Sequence, residues 1–167
     1  GYGVQAGLLV EKMKQHGLQV GVLSNYGTEG HIGKHRTKFG DVPVYPKGVK
    51  PYSDDVINLW HETHREKHLD LPHFLLTLYD VWVYNDLETE VPIVSWVPLD
   101  HITMPPLVKR FLKRDNVTPV AMAPHGVRQM QVIDIEAPYI PHMVDTKVFK
   151  PTPKFRGQPT REFMGID

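Results

Sequence analysis

Asp100 and His101 are the residues with the clearest chemical promise. They follow an apolar run, residues 91–97, inside the stretch VSWVPLDHITMPP at residues 94–106. Pro98, Pro105 and Pro106 frame the loop that carries them. A carboxylate beside an imidazole can orient a hydroxyl or move a proton near neutral pH. In open α/β sheets, ligands bind beyond the carboxyl ends of the strands. The competing reading is a proline-rich crossover in which Asp100 caps a turn and His101 is exposed. Tyr79, Asp80 and Trp82 repeat the arrangement after a second apolar run, PHFLLTL at residues 72–78. There the alternative is that Trp82 and Tyr84 pack a short helix or turn under the sheet. His125 and Arg128 stand near the start of a helix opened by Pro124, where an anion could meet them or where they serve as a surface cap.

The opening GYGVQAG is a glycine-rich loop feeding a helix, with Val4, Leu8, Leu9 and Met13 on one helical face. A helix start offers free N–H groups to a phosphate. The spacing G-x-G-x-x-x-G departs from the dinucleotide fingerprint, and the next strand ends in Ser24-Asn25-Tyr26 without an acid for a ribose. A tight strand-to-helix turn explains the glycines equally well. The run HETHREKH at residues 61–68 is not H-E-x-x-H, since His64 follows His61 by three. His64 and His68 are four apart and could share a metal, but the charged residues among them read as a solvated helix face. Lys47-Gly48-Val49-Lys50 reads as a solvated turn rather than an anion site.

A chain of 167 residues suffices for one well-buried domain. With 41% hydrophobic and 23% charged residues the chain is a folded globule rather than a disordered one. Lys+Arg and Asp+Glu number 19 each, so charge gives no case for nucleic acid or an acidic membrane. The absence of cysteine removes disulfides, thiolate metal sites and a Cys nucleophile, and fits a cytoplasmic protein. No apolar run approaches the roughly 20 residues of a membrane span.

The elements expected to position these residues alternate. A helix ends at Gly17; residues 18–23 form a parallel strand; residues 27–40 form a loop or weak hairpin; residues 42–45 form a short strand. Ser53 caps a helix whose buried side is Val56, Ile57, Leu59 and Trp60. Strands follow at 72–78, 91–97 and 118–122, with a helix at 107–114 burying Val108, Phe111 and Leu112 and a short helix after Pro124. Residues 135–140 close the alternation, residues 151–159 read as a linker, and residues 160–165 as a scrap of helix. This pattern predicts an α/β sandwich with a mostly parallel sheet.

The segment IPHMVDTKVFKP at residues 140–151 strongly resembles the interdomain segment of group-1 (family 4) glycosyltransferases of the GT-B fold, whose pattern there is I-P-x-G-V-D-x-x-x-F-x-P. Gly1-Tyr2-Gly3 looks like their N-terminal glycine loop after the first strand. Trp96-Val97-Pro98-Leu99-Asp100-His101 with Pro105-Pro106 resembles a segment some members carry at the acceptor side of the cleft. Residues 120–126 look like their strand and helix start. The resemblance spans nearly the whole chain, and only the interdomain segment is specific by itself. Met143 stands where glycine is usual, Ala123 stands where Ser is common, and the family's paired glutamates, seven residues apart on a second domain, have no counterpart here.

The resemblance implies a Rossmann-like three-layer sandwich, the N-terminal half of a GT-B fold with its first strand missing. Residues 1–141 would form the acceptor-side domain, 142–159 the interdomain linker, and 160–167 the start of a C-terminal donor-binding domain. The whole enzyme would be a retaining hexosyltransferase that moves a sugar from a nucleotide-sugar donor to a hydroxyl acceptor; this fragment alone would be inactive. Gly1, Tyr2 and Gly3 would lie at the donor phosphates, Asp100 and His101 would be catalytic, and Tyr79, Asp80 and Trp82 would line the acceptor, with His125 and Arg128 as weaker candidates. The family implies no metal and no cofactor beyond the donor substrate. It also implies a cytoplasmic enzyme that can sit peripherally on a membrane, and a cleft face exposed for homo-oligomer contacts. Two other classes compete. One is a non-catalytic sugar- or nucleotide-binding module; the other is a nicotinamide-dependent domain, disfavoured by the glycine spacing.

Overall fold

A computed structural model describes residues 1–84 and 86–166. Asp167, the last residue of the expected C-terminal segment, lies outside the described residues. The chain is mixed α/β with a small parallel sheet. The single sheet expected from the alternation is divided into two. The first holds β1 (Val22–Leu23), β2 (Gly33–Thr37) and β3 (Gly40–Tyr45) in the order β1-β3-β2, with β1 parallel and β2 antiparallel to β3. The second holds β4 (Leu75–Thr77), β5 (Ile93–Val97) and β6 (Val117–Ala121), in that order and all parallel.

Both faces of the parallel sheet are covered, which is why its strands read as continuous apolar runs. Leu76, Leu78, Val94, Trp96, Val120 and Met122 alternate onto one face, where Ala6 and Leu9 of α1 (Tyr2–Gln15) and Met143 pack. Leu75, Ile93, Val97, Val117 and Ala121 face the other way. They meet Val81 and Tyr84 of a 3-10 helix (Val81–Tyr84), and Val108, Phe111 and Leu112 of α3 (Pro106–Leu112). Met130 of α4 (Pro124–Gln131) and Ile57 of α2 (Ile57–Arg65) complete that layer. Thr77 and Ser95 also point there and satisfy each other across β4 and β5, the Thr77 hydroxyl donating to Ser95 Oγ at 3.1 Å. Leu23 of β1 joins the same core. Tyr45 of β3 stacks on Trp60 of α2 with ring centroids 5.1 Å apart, tying the first sheet to the second. Gly21 permits this approach, because a Cβ there would stand 2.8 Å from the Tyr45 ring.

Several local expectations give way to better-satisfied alternatives. α1 begins at Tyr2, so Gly1 is its N-cap and Gly3 and Gly7 lie within the helix rather than in a loop. Val4 is exposed, and Val10 supplies the buried contact instead. The helix ends as expected: Gly17 has φ 81°, and Leu18 N–H reaches back to the Met13 carbonyl. The 18–23 strand shortens to Val22–Leu23, and residues 33–45 form a hairpin. Ser53 caps no helix, since α2 starts four residues later. Its buried hydroxyl instead accepts the Gly48 N–H at 3.1 Å, while Asp55 accepts from Val49 and Asp54 pairs with Lys50. Leu59 is exposed rather than core. Residues 135–140 contribute one bridge, Tyr139 to Ala121, not a strand. The expected linker folds back as a short hairpin, β7 (Lys154–Phe155) and β8 (Gln158–Pro159). There Phe155 packs on Phe163 of α5 (Thr160–Phe163) at 4.8 Å.

Burial, with the neighbouring His73 as a lesser cause, pushes the His61 imidazole below its ordinary value, and burial does the same at His64. Both rings are held neutral in the fold and gain protons on unfolding. Their contribution is complete above the ordinary histidine value of 6.5 and is lost as pH falls through it. The melting temperature, scanned from pH 7.5 down to pH 5 (roughly the window in which unfolded histidine titrates), falls with acid. His61→Leu flattens that fall, and an unchanged slope in the variant would show that His61 titrates normally.

Candidate functional site

Parallel pairing places the carboxyl ends of β4, β5 and β6 at one edge of the sheet. Asp80 follows β4, Asp100 and His101 follow β5, and His125 follows β6. The start of α1 joins them. The Tyr2 hydroxyl donates to Asp80 Oδ2 at 2.9 Å, and its ring stacks on Tyr79 with centroids 5.6 Å apart and planes 20° apart. Burial first, then the bond to Asp80 and the charges of Asp80 and Asp100, push the Tyr2 phenol up to about 12. It is therefore a fixed donor at neutral pH. α1 is itself anchored by Gln5, whose side-chain amide exchanges hydrogen bonds with the backbone of Met143 at 2.8 and 2.9 Å. Trp96 Nε1 donates to the Ile140 carbonyl at 2.8 Å, so residues 140–143 are held across this face.

Asp100 and His101 form a pair with Nδ1 2.7 Å from Oδ1. The carboxylate can only accept, so Nδ1 carries the proton of this pair and Nε2 lies on the far side of the ring from it. Both side chains are largely exposed, 63% for His101 and 88% for Asp100, so the pair adds little stability. His125 Nε2 donates to the His101 carbonyl at 2.9 Å, which fixes the loop after β5 against the start of α4. The arrangement can accept a hydroxyl proton at His101 Nε2 and can hydrogen-bond neighbouring hydroxyls at Asp100 and Asp80.

Aromatic rings continue the edge. Tyr52 meets Tyr79 edge-on at 6.2 Å and Trp82 at 6.0 Å. Trp82 is turned outward because Val81 and Tyr84, on the opposite side of the 3-10 helix, are buried in the core. The reading in which Trp82 and Tyr84 both pack a short helix under the sheet holds for Tyr84, buried against Phe111, and not for Trp82, which is half exposed. Burial raises the Tyr79 phenol, with smaller contributions from Tyr26, Tyr52 and Asp80.

The structure thus brings together Tyr2, Tyr79, Asp80 and Trp82, and separately links Asp100, His101 and His125. Arg128 is exposed one turn further along α4, outside these contacts. Gly1 and Gly3 border open space, with nothing within 4 Å of a Cβ at either position, and the first N–H groups of α1 lack intrahelical acceptors. Tyr26 and Tyr52 were not singled out by sequence reasoning. Tyr26 carried the signal of a residue just past a short apolar strand; Tyr52, in an irregular loop, carried none.

Two hollows among the described residues lie elsewhere. One, of about 430 Å³, is lined by Asn58, His61, Glu62, Glu88, Thr89 and Glu90 near the amino end of β5; the other is beside Asp134 and Glu136. No group of three metal-ligating side chains occurs among the described residues. The suggested His64–His68 pair has rings 5.1 Å apart, but His64 directs Nδ1 to the Tyr45 hydroxyl and Nε2 to the Gln19 carbonyl.

Removing one hydroxyl tests this geometry. The stabilisation from the Tyr2–Asp80 contact is complete below the ordinary phenol value of 10.0 and is lost as pH rises towards about 12. Subtracting the phenolate absorbance titration of Tyr2→Phe from that of the parent isolates one phenol with a midpoint near 12. A difference curve centred at 10.0 contradicts the contact.

No protein-family model, curated protein or solved structure matches this chain.

Proposed function

We propose that this chain is the acceptor-side half of a retaining glycosyltransferase of the GT-B type, with a Rossmann-like three-layer core. The observation that carries the reading is the convergence at one sheet edge. Asp80, Asp100, His101 and His125 follow three successive parallel strands, and Tyr2 meets Asp80 from the first turn of α1. Residues 140–143, the start of the segment that resembles the interdomain connection, are pinned to α1 at the same end.

In this reading the nucleotide-sugar lies with its diphosphate at the start of α1, where Gly1 and Gly3 leave room and the helix end favours negative charge. Asp100 and His101 hold the acceptor hydroxyl towards the sugar carbon, and the imidazole Nε2 takes its proton as the new bond forms. Tyr79, Asp80 and Trp82 position the rest of the acceptor. Groups outside these 167 residues hold the nucleotide and complete the charge stabilisation of the departing diphosphate, so these residues alone do not turn over. Neither a metal nor a further cofactor takes part. Among the described residues no helix is long and apolar enough to cross a membrane.

A non-catalytic sugar- or nucleotide-binding module is favoured by one feature: the Asp100 and His101 side chains stand open to solvent rather than in an enclosed hollow. The coding frame beyond Asp167 decides between the two. A continuation into a second α/β domain bearing a basic residue and paired glutamates, with a product that hydrolyses or transfers from a nucleotide-sugar, supports the transferase. A stop codon directly after Asp167 removes it and leaves the binding module.

A further inference from the structure

The outer strand of the first sheet leaves backbone groups without partners, and its register shows which. β2 ends the order β1-β3-β2, so one side of it has no neighbouring strand. Bonded and unbonded pairs alternate along an antiparallel ladder. Lys34 stands opposite Pro43, which has no N–H to give, so that pair is an unbonded one. The turn gives the same phase: Thr37 and Gly40, which close the two-residue loop at Lys38 and Phe39, form a bonded pair. His35 with Val42 is then bonded, and Arg36 with Asp41 is not. The N–H and C=O groups of Lys34 and Arg36 therefore point away from β3, and no other group among the described residues takes them up. The side chains give this edge a sign. Residues 31–40, HIGKHRTKFG, contain Lys34, Arg36, Lys38 and two histidines, and no acid. Lys34 and Arg36, two apart, project from one face, and both are exposed. Arg36 has no ion pair among the described residues. Lys34 meets Asp41 at 3.9 Å and Lys38 meets Glu11 at 4.0 Å, both exposed and long, so neither cation is neutralised. A second copy of β2 would bring like charge against like, which keeps the edge from pairing with itself.

From this juxtaposition we infer that β2 docks an acidic peptide segment as an added antiparallel strand, with backbone pairs at Lys34 and Arg36 and a carboxylate opposite each. Antiparallel addition gives Lys34 and Arg36 one partner residue apiece, directly opposite and on the same face. The two partners are themselves two residues apart, so acids at alternate positions of an extended segment meet both cations. An anionic lipid surface or a nucleic acid meets the cations but does not match the paired N–H and C=O groups, which a peptide backbone does. The edge shares no residue with the proposed transferase site and does not depend on that reading.

The test uses the 167-residue chain and a blocked hexapeptide of alternating glutamate and threonine. In the free chain the backbone amides of Lys34 and Arg36 exchange with deuterium quickly, while that of His35, bonded to Val42, exchanges slowly. Saturating peptide is expected to slow Lys34 and Arg36 by about tenfold or more and to leave His35 as it was. Two peptides of identical charge then separate strand addition from simple attraction. Methylating the glutamate nitrogens, which face β2, is expected to weaken binding about tenfold; methylating the threonine nitrogens, which face away, is expected to retain most of it. Lys34→Gln and Arg36→Gln are each expected to weaken binding about threefold, the scale of a cross-strand charge pair. Thermal unfolding confirms that both variants fold, as exposed positions allow. Equal affinity for the two methylated peptides overturns the inference, as does unchanged affinity in both variants. Unchanged exchange at Lys34 and Arg36 with peptide up to about 5 mM overturns it as well. Tighter binding of phosphatidylserine vesicles or of an oligothymidylate than of the peptide gives the cations to another polyanion and overturns it too.

Discussion

Parallel pairing of β4, β5 and β6 in one register is the constraint on which the rest depends. Ile93 sits opposite both Leu75 and Val117, so the three strands start level; β4 ends at Thr77 opposite Ser95, and β5 and β6 run on together to Val97 and Ala121. A parallel sheet is stable only when both faces are covered. Here α1 and residue Met143 close one face and the 3-10 helix, α3 and α4 close the other. With both faces closed, the polar residues that each strand leads into can emerge only at the edge. Asp80, Asp100, His101 and His125 share a surface for that reason.

The covering elements also set the details of the site. Packing Ala6 and Leu9 on the sheet aims the first turn of α1 at the carboxyl edge, which delivers Tyr2 to Asp80. Burying Val81 and Tyr84 turns Trp82 outward. The site is therefore a by-product of core packing on two sides. Its own polar contacts, Asp100 with His101 above all, are exposed and contribute little to holding the fold together. Substitutions there should separate function from stability more cleanly than substitutions among Phe111, Ile93 or Met130, which are fully buried.

What could be read from residues alone follows the strength of the local signal. The runs 91–97 and 72–78 end in chemistry-bearing pairs, and an apolar run that stops at an acid marks a strand end whatever the tertiary context. Pro106 at the first turn of α3, with Val108, Phe111 and Leu112 turned inward, was legible from spacing. Ser53 was misread because a serine before two aspartates has the local signature of a cap. The loop at residues 46–55 competes for the same groups, and Gly48 and Val49 took the Ser53 and Asp55 side chains. The division into two sheets left no trace in the pattern, because period-two and apolar-run signals report strands and not which strands pair. Tyr52 illustrates the same limit: only tertiary packing brings a loop tyrosine against Trp82 and Tyr79.

The most direct test of the central claim is sugar transfer by the product of the complete reading frame, compared for the parent and for Asp100→Asn and His101→Gln. If the carboxyl edge is the reacting surface, each substitution lowers kcat/KM by roughly 10²-fold or more, the scale of a lost acid–base group. Thermal stability should stay within about 0.5 kcal/mol, as expected of exposed positions. Transfer at the parent rate in both variants would place the chemistry elsewhere and remove Asp100 and His101 from it.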